Sequence, residues 1–159
     1  LNQISIKSSR LFISKINISE DYKKITDLVI KNNIKYIYYF ASPKIYFSNI
    51  NNKDLIKSYK RIYVDIPFKI LRSLKNFDLN FFYPSTSYIN KNPLSQYSKF
   101  KIIAEKKITN YLNKKHKVNF FRLPGIKTKQ TLSIVNNNYK DFRYYLQNDK
   151  ILYKNFFFK

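Results

Sequence analysis

Short apolar runs alternate with longer segments of helical periodicity along this chain. Most of these runs end at proline or at hydroxyl residues, as strands buried on both faces do. A β-rich stretch near the amino-terminus precedes them. We therefore predict strands at residues 10–18, 34–41, 79–85 and 117–123.

Apolar residues with helical spacing fill the intervals between these runs. Ser19 is placed to cap the first helix, and Pro67 lies inside the long second helix, where it should kink the helix or mark a new start. The last apolar segment, 150–158, has the composition of a strand. We predict helices at residues 20–33, 53–76 and 94–113, and a weaker one at 138–147.

The alternation of strands and helices predicts an α/β fold, with a parallel sheet and helices on both of its faces. In such sheets, ligands bind where the carboxyl ends of the strands meet. Small and hydroxyl residues follow three of the predicted strands, at 41–43, 85–87 and 123–125. This edge of the sheet is therefore the candidate site, before any motif is considered.

The composition removes several classes of site. The 159 residues include no cysteine, one histidine and nine carboxylates, which excludes disulfides and thiolate metal sites and argues against a metal enzyme. No apolar run reaches the roughly 18 residues of a bilayer span, and the amino-terminal residues lack the features of a signal peptide. We therefore expect a cytoplasmic protein without a metal.

The net charge of +22 has two interpretations. It fits a nucleic-acid partner, because lysines attract phosphates. It also fits a coding bias toward A/T-rich codons, since the lysines are scattered from end to end without a block of like charge. We favour the second interpretation. We expect a small-molecule substrate, and neither nucleic acid nor a membrane as partner; a homo-oligomer is compatible with the sequence.

Tyr97 and Lys101 lie four residues apart and so share one face of a predicted helix. A phenol has a pKa near 10 and is a poor base at neutral pH, and a nearby ammonium would lower that pKa. The spacing alone carries no information, because a chain with 15 Tyr and 26 Lys produces such pairs by chance. Tyr111 and Lys115 form a second pair. What distinguishes Tyr97 is its position after the hydroxyl cluster at 85–87.

The order of five segments resembles the extended short-chain dehydrogenase/reductases, the NAD-dependent epimerase/dehydratase superfamily. YIYYFASP looks like that family's fourth strand, YKRIYVDIPFKIL like its next helix, and FFYPSTSYI like the strand that ends in its catalytic hydroxyl. PLSQYSKFKIIAEKKI is similar to its Pro-x-x-x-Tyr-x-x-x-Lys helix, and FFRLPGI to its sixth strand. The resemblance covers about residues 10–126 and implies a partial Rossmann-type, doubly wound sheet.

The resemblance also implies roles for particular residues. Thr86, with Ser85 as the second choice, would orient the substrate, and Tyr97 would be the acid/base beside the nicotinamide. Lys101 would lower the pKa of Tyr97 and hold the nicotinamide ribose of NAD or NADP. Four further residues would line the cofactor groove or stand beside the adenine: Ala41, Ser42, Pro124 and Asn17.

The chain departs from the family in two places. The Gly-rich loop that binds the cofactor's pyrophosphate is absent, because Gly125 is the only glycine. The substrate-binding region that should follow is short. Since the chain also starts at Leu1, we expect a core fragment, with an incomplete NAD(P)-binding domain at 1–126 and a remnant of the substrate-binding region at 127–159.

The implied function is hydride transfer to or from a hydroxyl or carbonyl of a small molecule, such as a nucleotide sugar, by an epimerase/dehydratase or reductase. By this view the chain alone is incomplete as an enzyme. Two alternatives stay open: a basic nucleic-acid-binding module, and a non-catalytic remnant that keeps the fold as a scaffold. His116 is expected at the surface, at the end of a helix, and the phenylalanines at 156–158 in a buried strand or a partner contact.

Overall fold

Three parallel strands form the centre of the molecule. The computed structural model describes residues 15–43, 52–90, 95–126 and 139–158. Within these ranges the strands follow one another in space as they do in sequence: β1 (Tyr36–Tyr38), β2 (Leu79–Thr86) and β3 (His116–Leu123). Tyr36 pairs with Asn80, and Leu79 with His116, in parallel register. The predicted parallel α/β sheet is therefore confirmed, and its carboxyl ends lie together.

Helices connect the strands and cover both faces of the sheet. In the described ranges they are α1 (Tyr22–Lys31), α2 (Lys53–Tyr59), α3 (Ile66–Ser73), α4 (Gln96–Thr109), α5 (Phe142–Asn148) and α6 (Lys150–Phe157), with a π-helical turn at Lys60–Asp65 and a 3₁₀ turn at Ser87–Asn90. Asp, Asn or Ser side chains accept amide N–H groups at the start of every helix except α3. None of these described helices is long and apolar enough to cross a membrane.

The central strand β2 divides the core into two parts. Alternate side chains of a strand point to opposite faces of the sheet. Phe81 and Tyr83 therefore join the larger cluster, with α1 to α4, whereas Phe82 joins Leu123 and Leu152 in the smaller cluster, with α5 and α6. Because both faces of β2 are covered, apolar residues occupy consecutive positions at its centre, Phe81, Phe82 and Tyr83.

The predicted strand at 34–41 is shorter and less buried than its sequence indicates. Only Tyr36–Tyr38 pair as a strand, and Tyr36, Tyr38 and Phe40 are 37–50% exposed. β1 is an edge strand of the described sheet, so neighbouring elements cover less of it than they cover of β2.

Two details at the amino-terminal side also differ from expectation. Of the predicted strand at 10–18, residues 10–14 lie outside the described ranges, and residues 15–18 form no strand. The cap of α1 is Asp21, whose carboxylate accepts the Lys24 N–H, and not Ser19.

The predicted carboxyl-terminal strand is wrong, because residues 150–157 form the helix α6. The Asp149 carboxylate accepts the N–H groups of Ile151 and Leu152 at 2.9 Å and so starts the helix. Leu152 and Phe156 are four residues apart and share one helix face, which packs against Phe82. Packing on the sheet outweighs the strand preference of the aromatic residues.

Pro67 interrupts the helical segment before β2, as the sequence predicts. The preceding turn is π-helical, and its last hydrogen bond runs from the Ile66 N–H to the Arg61 carbonyl. The α-helical pattern restarts at Ile66, with Pro67 in the first turn of α3. Because the helical backbone continues from the π-helical turn into α3, the missing N–H of Pro67 leaves a carbonyl of the preceding turn without a donor.

Two tyrosine hydroxyls compensate for the missing N–H of Pro67 and for the shifted hydrogen bonds of the π-helical turn before it. The carbonyls four and five residues before it, on Tyr63 and Ile62, cannot receive a hydrogen bond from its nitrogen. Tyr83 Oη donates to the Tyr63 carbonyl at 2.9 Å, and Tyr39 Oη donates to the Ile62 carbonyl at 2.6 Å. Side chains from the sheet thus satisfy the backbone of the interrupted helix.

Replacing Tyr39 with Phe should lower the free energy of unfolding by about 1–3 kcal/mol, because the buried Ile62 carbonyl then has no donor. Urea unfolding followed by circular dichroism measures this. The control Tyr36→Phe, at a 50% exposed ring, should change stability by less than about 0.5 kcal/mol. Tyr39→Phe should cost less in a Pro67→Ala background, which restores an N–H. Equal costs in both backgrounds would contradict the compensation.

Candidate active site

The carboxyl end of β2 meets the first turn of α4 at two hydroxyl side chains. Thr86 is the last residue of β2 and is 2% exposed. The Ser95 Oγ caps α4 by accepting the Ser98 N–H at 3.2 Å, which places Tyr97 in the first turn. The Thr86 hydroxyl is among the groups that set the pKa of the Tyr97 phenol, which it lowers. The structure therefore brings together the two hydroxyls that the sequence analysis assigned to substrate and proton transfer.

Tyr97 lies against the core. Its ring meets the Tyr63 ring edge-on, with 5.4 Å between the centroids. Burial raises the pKa of Tyr97 to about 12, and the Thr86 hydroxyl only partly opposes that shift. The expectation that Lys101 would hold this pKa below its usual value is therefore not met in this arrangement, where desolvation of the phenol is the larger effect.

Lys101 points into the core and is 4% exposed. Its Nζ donates to the Pro84 carbonyl at 2.6 Å. The same atom lies 4.3 Å from the ring centroid of Tyr63, 4.5 Å from that of Tyr83 and 5.8 Å from that of Tyr97. Burial lowers the pKa of Lys101 to about 7, and the nearby Glu105 carboxylate opposes part of that shift.

Ser85, the second choice for the substrate hydroxyl, belongs to a different contact. It is 3% exposed and donates to Oε1 of Glu105 on α4. Oε2 of the same carboxylate accepts from Arg122 Nη2 on β3 at 2.9 Å. The three residues join α4, β2 and β3. Sequence reasoning did not find this contact, because Ser85 and Arg122 lie 20 and 17 residues from Glu105.

The other predicted residues stand at the ends of β1 and β3. Ser42 follows β1 and is exposed, and its Oγ is hydrogen-bonded to the Tyr63 Oη at 2.7 Å. Ala41 packs partly against the larger core, and Pro124 directly follows β3. Asn17 forms the turn before α1, where its side chain accepts the Ser19 N–H. Contact of any of these residues with a cofactor stays a prediction.

Gly125 is needed because two rings approach it closely. A Cβ at this position would lie 2.5 and 2.8 Å from atoms of the Tyr139 ring and 2.8 Å from the Tyr88 Oη. The Tyr88 and Tyr139 hydroxyls are hydrogen-bonded at 2.9 Å, and the Tyr145 Oη donates to the Gly125 carbonyl at 3.4 Å. Sequence reasoning did not find this tyrosine cluster, since Tyr88 and Tyr139 are 51 residues apart.

His116 is buried, and its predicted surface position is wrong. It is 7% exposed and begins β3, at the opposite end of the strand from Leu123. Its Nε2 is hydrogen-bonded to the Leu74 carbonyl at 3.0 Å, and its Nδ1 has no partner among the described residues. No three of the described His, Asp and Glu side chains are grouped so that they could hold a metal ion.

Comparison with known proteins gives matches in structure only. No protein-family model and no curated protein matches the sequence. A short-chain dehydrogenase/reductase from Saccharomyces cerevisiae matches with a TM-score of 0.60 and 19% identity, over 89% of this chain and 65% of that one. A short chain dehydrogenase from Salmonella enterica serovar Typhi matches with a TM-score of 0.64 and 13% identity, over 82% and 61%.

A hypothetical dTDP-4-dehydrorhamnose reductase from Sulfolobus tokodaii matches with a TM-score of 0.54 and 22% identity, over 76% of this chain and 46% of that one. The chain has the short-chain dehydrogenase/reductase fold. This agrees with the resemblance in the sequence. The chain spans less than two thirds of each of the three proteins, and identities of 13–22% speak for the fold alone.

The short-chain dehydrogenase/reductase fold implies a nicotinamide dinucleotide, and the residues present fit it only in part. Thr86 and Tyr97 suit the reacting centre, because a phenol and a hydroxyl can exchange a proton with, and orient, one substrate oxygen. Lys101 does not suit the ribose in this arrangement, since its amine is buried and bonded to the Pro84 carbonyl.

The protein should become more stable as pH rises from 7 to 9. Between its folded pKa of about 7 and its ordinary pKa, Lys101 binds a proton only when the chain unfolds, so stability increases with pH across this window. Each pH unit adds at most about 1.4 kcal/mol, and we expect a gain of about 2 kcal/mol. The titratable groups that face the amine are Tyr63, Tyr83, Tyr97 and Glu105. The three tyrosines have raised pKa values and add no slope below pH 9.

Urea unfolding at pH 7, 8 and 9 measures this gain. Lys101→Met should abolish the slope, whereas Lys99→Met, at an exposed position of the same helix, should keep it. A slope that survives in Lys101→Met would assign the effect to another group.

Gly125→Ala should lower the free energy of unfolding by about 1–3 kcal/mol, because the added methyl group overlaps the Tyr139 ring. Thermal unfolding measures this. Tyr139→Leu removes the ring, so adding Gly125→Ala to Tyr139→Leu should cost less than it does in wild type. Additive losses would show that the ring is not the obstacle.

Proposed function

We propose that this chain carries the acid/base centre of an NAD(P)-dependent enzyme of the short-chain dehydrogenase/reductase type. The substrate would be a small molecule with a hydroxyl or a carbonyl, such as a nucleotide sugar, and the reaction a reduction, epimerisation or dehydration. The observation that carries the proposal is the placement of Tyr97 in the first turn of α4, which packs on the end of β2 at Thr86, at the carboxyl ends of parallel strands where ligands of such sheets bind.

Tyr97 would exchange a proton with the substrate oxygen. With a pKa of about 12, its phenol is protonated at neutral pH. It is therefore better suited to giving a proton to a developing alkoxide than to taking one from a hydroxyl. Carbonyl reduction is the direction that this arrangement favours, and the bound nicotinamide would supply the hydride.

Thr86 would orient the same oxygen. Its Oγ1 accepts the Tyr88 N–H at 3.2 Å, which fixes the rotamer, and its hydroxyl proton can point toward the substrate or Tyr97. The Tyr63 ring packs edge-on against Tyr97 and shields the core-facing side of the phenol from water. A dry site strengthens the hydrogen bonds that hold the substrate oxygen.

Ala41, Ser42 and Pro124 would line the groove for the cofactor, since they follow β1 and β3 at the edge of the sheet that ends at Thr86. A Gly-rich pyrophosphate loop would have to come from elsewhere, because Gly125 is the only glycine among the 159 residues. The use of NAD or NADP and the activity of the whole protein are likewise part of this proposal.

Dinucleotide binding is the first test of this function. The natural protein should bind NADH or NADPH in a calorimetric titration, with an affinity that changes little between 50 and 300 mM salt. Binding driven only by the positive charge of the chain would weaken steeply over that range, as phosphate-driven binding does. No binding at either salt concentration would favour the non-catalytic scaffold.

Tyr97→Phe should lower kcat for carbonyl reduction by at least about 100-fold, the usual contribution of a positioned acid. NADPH or NADH oxidation with a panel of aldehydes, ketones and keto-sugar nucleotides measures this. Tyr111→Phe is the matched control, because Tyr111 belongs to the second Tyr-x-x-x-Lys pair, and it should keep kcat within about threefold. Equal rates for wild type and Tyr97→Phe would refute the proposed role.

A further inference from the structure

Pro84 occupies an unusual position, inside the central strand of the described sheet. Proline cannot donate to a strand ladder, and it is normally confined to edge strands, strand ends and bulges. β1 pairs with only three residues of β2, the last of them Phe82, whose carbonyl accepts the Tyr39 N–H at 3.0 Å. Two residues further on, the nitrogen and carbonyl of Pro84 face the same side of β2, beyond the end of β1. The missing N–H is therefore harmless there, but the carbonyl has lost its strand partner.

Lys101 supplies the donor that the strand does not. Its Nζ reaches the Pro84 carbonyl at 2.6 Å, and the side chain is 4% exposed. A buried carbonyl without a hydrogen bond costs stability, so a donor at this point is needed. Neutral or charged, a lysine amine can donate one hydrogen to this carbonyl.

The surroundings of the amine hold it in place. The Tyr63 ring comes from the π-helical turn and the Tyr83 ring from β2, with their centroids 4.3 and 4.5 Å from the Nζ. The Tyr83 hydroxyl is itself bonded to the Tyr63 carbonyl. An amine enclosed in this way cannot reach a ligand hydroxyl without first leaving the carbonyl and both rings.

We propose that Lys101 is a positioning residue, which bonds the carbonyl of Pro84 in place of a strand and thereby fixes α4, with Tyr97 one turn away, over the end of β2. The inference deepens the proposed function and rests on it for the importance of Tyr97. It gives Lys101 a role in the fold in place of the ribose contact that the family resemblance implies.

Reductive dimethylation of the unmodified wild-type chain tests the burial of Lys101 directly. Formaldehyde and cyanoborohydride are applied to the folded protein, and the extent of modification at each lysine is read by peptide mass spectrometry. Lys101 should react at least tenfold more slowly than Lys99, which is exposed on the same helix, and both should react equally in 8 M urea. Equal rates in the folded protein would overturn the inference, since a ribose ligand in an open groove must be accessible.

Lys101→Met separates positioning from binding, with Lys99→Met as control. If Lys101 positions Tyr97, the variant should lower kcat at least tenfold, while the dinucleotide KM and Kd stay within threefold of wild type. A Kd that rises tenfold or more with kcat retained would identify a ribose ligand and overturn the inference.

The two proposals fail in different ways. If wild type binds no dinucleotide and shows no turnover, the proposed function fails, and the labelling rates still decide whether Lys101 is enclosed at Pro84. If Lys101→Met does not fold, the labelling of wild type decides alone, because it needs no variant. Fast labelling of Lys101 in a protein that binds dinucleotide would be compatible with the proposed function and would overturn the inference about Lys101.

Discussion

The structure depends on backbone carbonyls that two prolines and a π-helical turn leave without partners. The π-helical turn and Pro67 together deprive the Ile62 and Tyr63 carbonyls of helix donors, because the Ile66 N–H bonds the Arg61 carbonyl and Pro67 has no N–H. Pro84 lies beyond the last residue of β2 that pairs with β1. A buried carbonyl without a donor is costly, and each of these three accepts a hydrogen bond from a side chain distant in sequence: Tyr39, Tyr83 or Lys101. These bonds join β1, β2, α4 and the π-helical turn into one polar layer inside an apolar core. The layer lies directly behind the candidate site.

The chemistry of that site follows from the same burial. A phenol in contact with the core is harder to ionise, so the pKa of Tyr97 rises, while an enclosed amine is harder to protonate, so the pKa of Lys101 falls. Both pKa shifts disfavour the phenolate–ammonium ion pair that the spacing of Tyr97 and Lys101 suggests. What results is a protonated phenol near Thr86, at the end of a strand, that is suited to donating a proton.

The positive charge lies mainly outside this layer. Lys101 is the single lysine or arginine that is buried among the described residues. The few carboxylates are shared: Asp65 contacts Lys60 at 2.6 Å and Lys107 at 3.6 Å, and Glu105 holds Arg122. Surface pairs of this kind contribute little to stability. The buried aromatics, including Tyr59, Tyr63 and Phe81, belong to the core and are not available as a stacking surface for bases.

The sequence by itself determined the order of strands and helices from α1 to β3, the interruption at Pro67 and the edge of the sheet where Thr86 and Tyr97 lie, because periodicity and chain breakers act over a few residues. Only the tertiary structure decided the rest. Residues 150–157 became a helix because Leu152 and Phe156 found the sheet, and His116 was buried by the approach of the Leu74 carbonyl. Lys101 turned inward because a carbonyl 17 residues earlier needed a donor. These outcomes depend on contacts between distant segments and on the desolvation they cause, which no local pattern records.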